Sequence, residues 1–199
     1  MARTRAQDFE EKQRGILEHA ARVFAEQGME KASMSQVAAQ AQVSKALLYH
    51  YYPSKDALIF AIIHSHLEEL DEAVEQADDA SLPPHQRLRG LVGAVLETYR
   101  GADDQHKVQL NATSALSDAQ KAEITELERR IVRRFAAVLD EINPGLNDKN
   151  RPLLTPVTMS LFGMMNWMYM WFKEGGRISR EDYADVATTL ILEGIKAVK

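Results

Sequence analysis

The sequence predicts an all-α protein of about nine helices, with a small N-terminal helix-turn-helix domain and a larger C-terminal helical domain. Apolar residues recur every three to four positions in one segment after another, and serines stand where several of these segments begin. No segment alternates apolar and polar residues as a half-buried strand does. We place the two domains at residues 1–54 and 55–199.

The first three helices are the most clearly marked. Residues 9–27 carry an amphipathic pattern, and Gly28 follows at the position of a left-handed C-terminal cap. Ser33 and Gln36 have the spacing of a capping box, which starts a second helix, and Ser44 marks the start of a third. Two short helices separated by about three residues are typical of a helix-turn-helix motif.

Longer helices form the rest of the chain. Ser54, after Pro53, caps a long helix that begins at Lys55. A polar break at residues 78–84 and the loop signal at 143–145 interrupt the patterns that follow. The remaining helices are predicted at residues 84–101, 103–115, 117–142, 152–173 and 179–197.

The composition is that of an ordinary folded protein without cysteine chemistry. Of 199 residues, 45% are hydrophobic and 27% charged, and the lack of cysteine excludes disulfides and thiolate catalysis. The net charge is −5, yet residues 1–60 hold eight basic and seven acidic side chains. A small DNA-reading domain on an acidic body fits this division, whereas a protein that coats nucleic acid would be far more basic.

The stretch from Ser33 to Leu58, S-M-S-Q-V-A-A-Q-A-Q-V-S-K-A-L-L-Y-H-Y-Y-P-S-K-D-A-L, resembles the DNA-binding signature of the TetR family of repressors. The resemblance covers the first ~60 residues and implies that residues 43–52 form the turn and the recognition helix. Gln42 departs from the family's pattern, because Gly is usual where the turn tends to need a positive φ. Gln carries some strain at such a position.

The motif's geometry selects candidate DNA contacts, because a recognition helix presents its N-terminal residues to base edges in the major groove. Lys45 can donate to guanine, and Ala46 and Leu47 can contact thymine methyl groups. Lys55 adds charge beside a helix N-terminus, a natural phosphate site. The polar candidates for the DNA backbone are Ser33, Ser44, Tyr49, His50 and Lys55.

Two alternatives stay open in this domain. The run 49–52 can be an aromatic strip of the core, although we expect Tyr49 to face DNA. Arg3 and Arg5 can reach a phosphate or the minor groove, or can belong to a disordered tail. The residues expected to pack the domain are Leu48, Tyr52 and Leu58.

The segment 153–173 is the candidate wall of a ligand pocket. It carries five of the eight methionines and both tryptophans, and a helix that is apolar all round is buried on more than one side. Asn166 needs a hydrogen-bond partner there, and a ligand is one candidate. Plain packing with a dimer interface is the alternative. The candidate ligand contacts in the larger domain are Tyr99, Gln109, Asn166, Trp167, Met170 and Trp171.

The segment G-M-M-N-W-M-Y-M-W-F-K-E-G-G-R also resembles the C-terminal domains of TetR-family regulators that respond to acyl-CoA thioesters. The opening M-A-R-T-R-A and the block S-K-A-L-L-Y-H-Y-Y resemble members associated with phenylacetate degradation. This resemblance implies a basic site for the CoA phosphates, for which arginine is well suited. Candidates are Arg130 and Arg134 of the cluster 129, 130, 133 and 134, and, more weakly, Arg87 and Arg89. A solvated helix face balanced by Glu123, Glu126 and Glu128 is the alternative.

Enzyme, membrane and secreted proteins fit the sequence poorly. No Gly-rich phosphate loop, G-x-S-x-G or H-E-x-x-H motif is present, so we expect no catalytic residue, cofactor or metal. His64 and His66 point to different faces of a helix, and the pair His64 and Glu68 is usually structural. Residues 1–15 lack a signal-peptide core, and the apolar stretch 157–172 is short for a bilayer span of ~20 residues. We therefore expect a cytoplasmic protein.

These expectations describe a ligand-responsive repressor. A homodimer, in which the last two helices of each chain pack against their mates, would bind a pseudo-palindromic double-stranded DNA operator. A small-molecule effector, with (aryl)acyl-CoA thioesters among the candidates, would favour a state whose DNA-binding domains no longer fit successive major grooves. The alternative is a small-molecule-binding helical protein without specific DNA binding.

Overall fold

The computed structural model describes residues 2–112 and 115–198, and the side chains within them except those of residues 2–8 and 10. These ranges contain nine α-helices, two short 3-10 helices and one isolated bridge between Asn147 and Pro152, which confirms the all-α prediction. The helices are α1 (Ala2–Gln27), α2 (Met34–Gln40), α3 (Lys45–Tyr51), α4 (Lys55–Ala77), α5 (Pro84–Thr98), α6 (Asp103–Asn111), α7 (Asp118–Ile142), α8 (Leu154–Asn166) and α9 (Arg180–Ala197). The 3-10 helices are Pro144–Leu146 and Trp167–Met170.

The helices form two compact units. The first consists of Met1–Leu67 with Gly101–Thr125, and the second of Glu68–Arg100 with Glu126–Lys199. The helices α4 and α7 each contribute to both units. These compact units are not continuous in sequence, so the predicted boundary between domains 1–54 and 55–199 stays a prediction. No helix in the described ranges is long and apolar enough to cross a membrane.

The helix boundaries follow from caps that the sequence shows. Ser33 and Gln36 form the predicted capping box, and the hydroxyls of Ser44 and Ser54 also accept backbone N–H groups at their helix starts. Ser179 forms a second capping box at the start of α9. Gly28, directly after α1, has φ 81°, which confirms its predicted left-handed conformation.

The predicted single helix over 152–173 is wrong at its C-terminal end. The helix α8 stops at Asn166, and Trp167–Met170 continues as a 3-10 turn. Met168 within this turn is buried, as is Met165 near the end of α8. Residues three apart align in a 3-10 helix, so Trp167 and Met170 share a side of the turn, and both are exposed.

Three other helix ends differ from the prediction. The helix α1 begins at Ala2 rather than near residue 9, so the backbone of Arg3 and Arg5 is helical, while their side chains lie outside the described ones. The helix α5 ends at Thr98, before Gly101 with φ 74°. The helix α6 ends at Asn111, and the predicted end at 115 follows two residues outside the described ranges.

Candidate nucleic-acid interface and effector site

Two backbone hydrogen bonds around a left-handed residue close the turn between α2 and α3. The N–H of Val43 donates to the carbonyl of Ala38 at 2.9 Å, and that of Gln42 to the carbonyl of Ala39 at 3.2 Å, the pattern of a Schellman cap. Gln42 takes the left-handed position with φ 54°, as the resemblance implied. A side chain in that conformation costs about 1 kcal/mol relative to glycine. The turn sets the direction in which α3 begins.

The helix α3 buries one side and presents the other to solvent. Leu48 and Tyr52 are buried at 0% and 5% exposure, and Leu58 of α4 is buried as well, which confirms the predicted packing residues. Tyr49 is 50% exposed, so the aromatic-core alternative is wrong for this residue. Leu47 is half-buried, and its N–H donates to the Ser44 hydroxyl at 3.1 Å. The exposed candidate contacts on α3 are Lys45, Ala46, Tyr49 and His50.

Lys55 is half-buried, and its ammonium group bonds to backbone carbonyls of the protein. Its Nζ lies 2.6 Å from the carbonyl oxygen of Met29, 3.3 Å from that of Glu30 and 3.4 Å from that of Ala32. An ammonium group has three donors, so these carbonyls can use all of them. Lys55 thus ties the connection between α1 and α2 to the start of α4.

Ser33 is exposed, but its hydroxyl is also engaged. It donates to the Gln36 side-chain oxygen at 2.8 Å and accepts the Gln36 backbone N–H at 3.3 Å. The Gln36 amide in turn donates to the Gln27 side-chain oxygen at 2.7 Å. A phosphate at Ser33 would therefore meet a capping box that is already formed.

Two predicted ligand contacts of the second unit bond to each other. The Tyr99 hydroxyl donates to Asn166 Oδ1 at 2.8 Å, so a protein group supplies the partner that Asn166 was expected to need. Burial, and to a smaller extent the negative charge of Glu128, raises the pKa of Tyr99. The phenol therefore keeps its proton at physiological pH and acts as a hydrogen-bond donor. Gln109 is half-buried on α6 of the first unit.

The arginine cluster of α7 is balanced mainly by acids of α4. Arg130 lies 2.9 Å from Asp71, and Arg134 lies 3.8 Å from Asp71 and 3.4 Å from Glu75. Asp71 is 8% exposed, and the two guanidinium groups compensate its buried charge. Arg133 pairs with Glu126 at 2.5 Å, as the solvated-face alternative supposed.

The two weaker candidates also have carboxylate partners. Arg87 is buried and bridges Asp78 at 2.8 Å and Glu141 at 2.9 Å, contacts that raise the pKa of its guanidinium. Arg89 is paired with Asp185 of α9. Both side chains therefore link helices of the second unit.

Three further ligand candidates lie on the outside of the chain. Trp167 is 60% exposed, Met170 56% and Trp171 43%, so none of the three is buried by the single chain, and their burial against a partner subunit stays a prediction. They belong to a set of exposed apolar side chains that we call the apolar face: Met159, Trp167, Met170, Trp171, Ile178, Val186 and Leu190.

A cleft of about 550 Å³ in the second unit was missed by the sequence analysis. Ile142, Leu192 and Ile195 supply apolar lining, and its polar lining residues are His85, Asn143, Glu193 and Lys196. None of the predicted ligand residues lines this cleft. Its members come from the ends of three helices and a loop, a convergence that no local sequence pattern reveals.

The histidines of α4 have separate surroundings. His64 Nε2 lies 3.0 Å from a Glu123 carboxylate oxygen, while His66 is buried with its ring centroid 6.3 Å from that of His106. Burial, and secondly His106, lowers the pKa of His66 to about 4. Among the described side chains, no group of three or more His, Asp or Glu residues is arranged to hold a metal ion.

Two family models match the chain. The one described as bacterial regulatory proteins, tetR family, covers residues 16–62, which include α2 and α3. The one described as tetracyclin repressor-like, C-terminal domain, covers residues 81–195.

Individual proteins are similar over nearly the whole chain. The HTH-type transcriptional repressor KstR2 of Mycolicibacterium smegmatis is 25% identical over 183 residues, covering 90% of this chain and 88% of its own. A TetR-family regulator from Bordetella parapertussis 12822 superposes with a TM-score of 0.84 at 32% identity, over 94% of this chain and 97% of its own. AibR, solved with isovaleryl coenzyme A and operator DNA, gives a TM-score of 0.76 at 28% identity, over 90% and 97%.

Proposed function

The chain belongs to the TetR family of transcription regulators, and we propose that it is a homodimeric repressor released from its operator by a small-molecule effector. The observation that carries the DNA-binding part is the exposed side of α3. Lys45, Ala46, Tyr49 and His50 are open to solvent there, while Leu48 and Tyr52 anchor the opposite side.

The α3 side chains suit distinct parts of a DNA duplex. Lys45, at the first position of α3, reaches guanine O6 or N7 in the major groove, and Ala46 contacts a thymine methyl group. Tyr49 and His50 carry donors for phosphate oxygens. Lys55 supports this surface indirectly, because its ammonium group holds the carbonyls that precede α2.

The apolar face supports a two-fold dimer. Val186 and Leu190 are one turn apart on α9 and are 50% and 60% exposed, while Met159 and Trp167 give α8 and its 3-10 extension a similar exterior. Apart from the chain neighbours and backbone of its own helix, no described atom lies within 4 Å of where a Cβ of Gly163 or Gly194 would stand, so another helix can approach both helices closely. Many exposed apolar side chains on two helices that pack together, as α8 and α9 do, are typical of an interaction site.

The effector class we favour is an acyl-CoA thioester. The sequence resemblance favours it, and AibR, a relative at 28% identity, was solved with isovaleryl coenzyme A. A thioester carbonyl would accept from the Tyr99 hydroxyl in exchange for its present bond to Asn166, and Arg130 and Arg134 offer guanidinium groups for the phosphates. A phosphate would compete there with Asp71 and Glu75.

A fluorescence-anisotropy titration tests this function on DNA from the region upstream of the protein's own coding sequence. We expect tight, salt-sensitive binding that phenylacetyl-CoA or a long-chain acyl-CoA reverses. DNA binding that neither thioester affects would support the proposal of a repressor and reject acyl-CoA thioesters as its effector class. No binding at low salt would reject the repressor in favour of a helical protein that binds only small molecules.

A further inference from the structure

Arg180 occupies an unusual position for a buried cation. It is the first residue of α9, and the N-terminus of a helix carries partial positive charge that disfavours a cation. The side chain is nevertheless 9% exposed, while Ser179 and Asp182 already cap this helix. The buried positive charge of Arg180 must therefore be stabilised by contacts with residues outside α9.

The first contact is with the end of α5. Arg180 Nη1 donates to the carbonyl oxygen of Leu96 at 2.8 Å. Leu96 lies in the last turn of α5, where helix carbonyls lack intrahelical partners. A cation at that end is stabilised by the helix dipole. Arg180 thus caps a helix that is 84 residues away in the sequence.

The second contact is with the connecting segment, which we define as residues 167–179. Arg180 Nε and Nη2 lie 3.1 and 3.0 Å from Oε2 of Glu174, and the guanidinium carbon is 4.9 Å from the Phe172 ring centroid. The other oxygen of Glu174 accepts from Arg100 at 2.5 Å, and Arg100 also pairs with Glu97. One guanidinium group therefore joins the end of α5, the connecting segment and the start of α9.

The connecting segment carries much of the apolar face. Trp167, Met170, Trp171 and Ile178 are all between 43% and 60% exposed. Only the first part is a 3-10 helix, so few backbone hydrogen bonds fix the rest. The Trp171 ring packs against Tyr183 at 4.9 Å, whereas Glu174 is connected to the end of α5 twice, through Arg180 to Leu96 and through Arg100 to Glu97.

We infer that Arg180 is a positioning residue for the dimer surface: its guanidinium group holds the connecting segment so that its exposed aromatic side chains meet a second copy of the chain. This inference rests on the proposed function, because it requires the homodimer. Holding the segment depends on the planar guanidinium group and not on its positive charge alone, because a lysine ammonium group cannot donate to Leu96 and Glu174 in the same geometry.

Arg180→Lys tests the inference, with Arg87→Lys as its matched control. Arg87 is also 9% exposed, is also paired with carboxylates and lies in the same unit, but among the described contacts its partners are Asp78 and Glu141, outside the connecting segment. We expect Arg180→Lys to raise the dimer dissociation constant about tenfold, measured by sedimentation equilibrium. Arg87→Lys is expected to change it less than about twofold while lowering the unfolding midpoint.

Glu174→Gln provides a second variant that folds readily, because Glu174 is 52% exposed. We expect a smaller rise in the dissociation constant, of about threefold. The rate of trypsin cleavage measures how firmly the connecting segment is held. Cleavage after Lys173 and Arg177 is expected to be faster in both Arg180→Lys and Glu174→Gln, but not in Arg87→Lys.

The outcomes separate the inference from the proposed function. A dimeric wild type whose Arg180 and Glu174 variants dimerise and resist trypsin normally would overturn the inference alone. Equal effects of Arg180→Lys and Arg87→Lys on the dissociation constant would reduce Arg180 to a general stabilising role. A wild type that stays monomeric at all concentrations would overturn both.

Discussion

The helix-turn-helix and the α8–α9 region use apolar side chains in opposite ways. In residues 33–52, Leu48 and Val37 are fully buried and the outward side chains of α3 are mostly polar or small. In α8, the connecting segment and α9, much of the exterior is apolar, including two tryptophans and Leu190 at 60% exposure. The first region buries its large aliphatic side chains within one chain. The second leaves many of its apolar side chains exposed, as we propose for a surface that contacts a second copy of the chain.

A charge placed on the apolar face is expected to have the largest effect on the dimer. Leu190→Arg would bring two like charges together in the dimer, and we expect the dimer dissociation constant to rise by about 100-fold or more. Folding of the single chain should change little, because Leu190 is already 60% exposed. Sedimentation equilibrium measures the first effect and thermal unfolding the second.

Thr189→Arg is the control for that substitution. Thr189 is exposed on the same helix but lies outside the apolar face. If Thr189→Arg weakens the dimer as much as Leu190→Arg, the interface does not lie where we propose.

Acid should affect the first unit through His66. Its pKa is lowered to about 4, below the unfolded value of 6.5, so the unfolded chain takes up a proton first as pH falls. Stability is therefore full above pH 6.5 and is lost progressively down to pH 4. We expect a loss of about 2 kcal/mol between pH 7 and pH 5 in urea unfolding. In His66→Gln, the slope over that range should flatten; an unchanged slope would assign it to other groups.

Lys45 and Lys55 distinguish base reading from support. Lys45→Ala should weaken binding to the preferred DNA by about tenfold and relax its base preference, because Lys45 is exposed at the start of α3. Lys55→Ala should instead lower the free energy of unfolding by about 1 kcal/mol, because three backbone carbonyls lose their donor. Anisotropy and urea unfolding separate these effects, and equal loss of sequence preference in both variants would contradict the assignment.

The smallest expected effect is at the turn of the motif. Gln42→Gly should raise the free energy of unfolding by about 0.5–1 kcal/mol, because relief of the left-handed strain exceeds the added chain entropy. Gln40→Gly, within α2, should lower it by a similar amount. A destabilised Gln42→Gly variant would show that the Gln42 side chain contributes more than its backbone costs.

The first region could be predicted from sequence because its determinants are local. Ser33 and Gln36 are three residues apart, and the Ser44 cap lies within the motif that it starts. Even there, the role of Lys55 was not predictable, since the Met29 carbonyl lies 26 residues earlier in the chain.

The second region was predicted less well because its determinants are distant in sequence. The 3-10 turn after Asn166 and the Tyr99–Asn166 bond depend on which helices meet, and apolar periodicity does not encode that. The same composition of Met and Trp fits a pocket wall and an outer surface equally. Only the fold showed that Trp167 and Met170 point outward.

Selection of bound DNA from a random-sequence library tests the central claim most directly. If exposed α3 helices of a two-fold dimer read DNA, the enriched sequences should contain an inverted repeat of two half-sites. Lys45→Ala should lose preference at the same base position in both half-sites. Enrichment of a single asymmetric site, or of no sequence at all, would contradict the account.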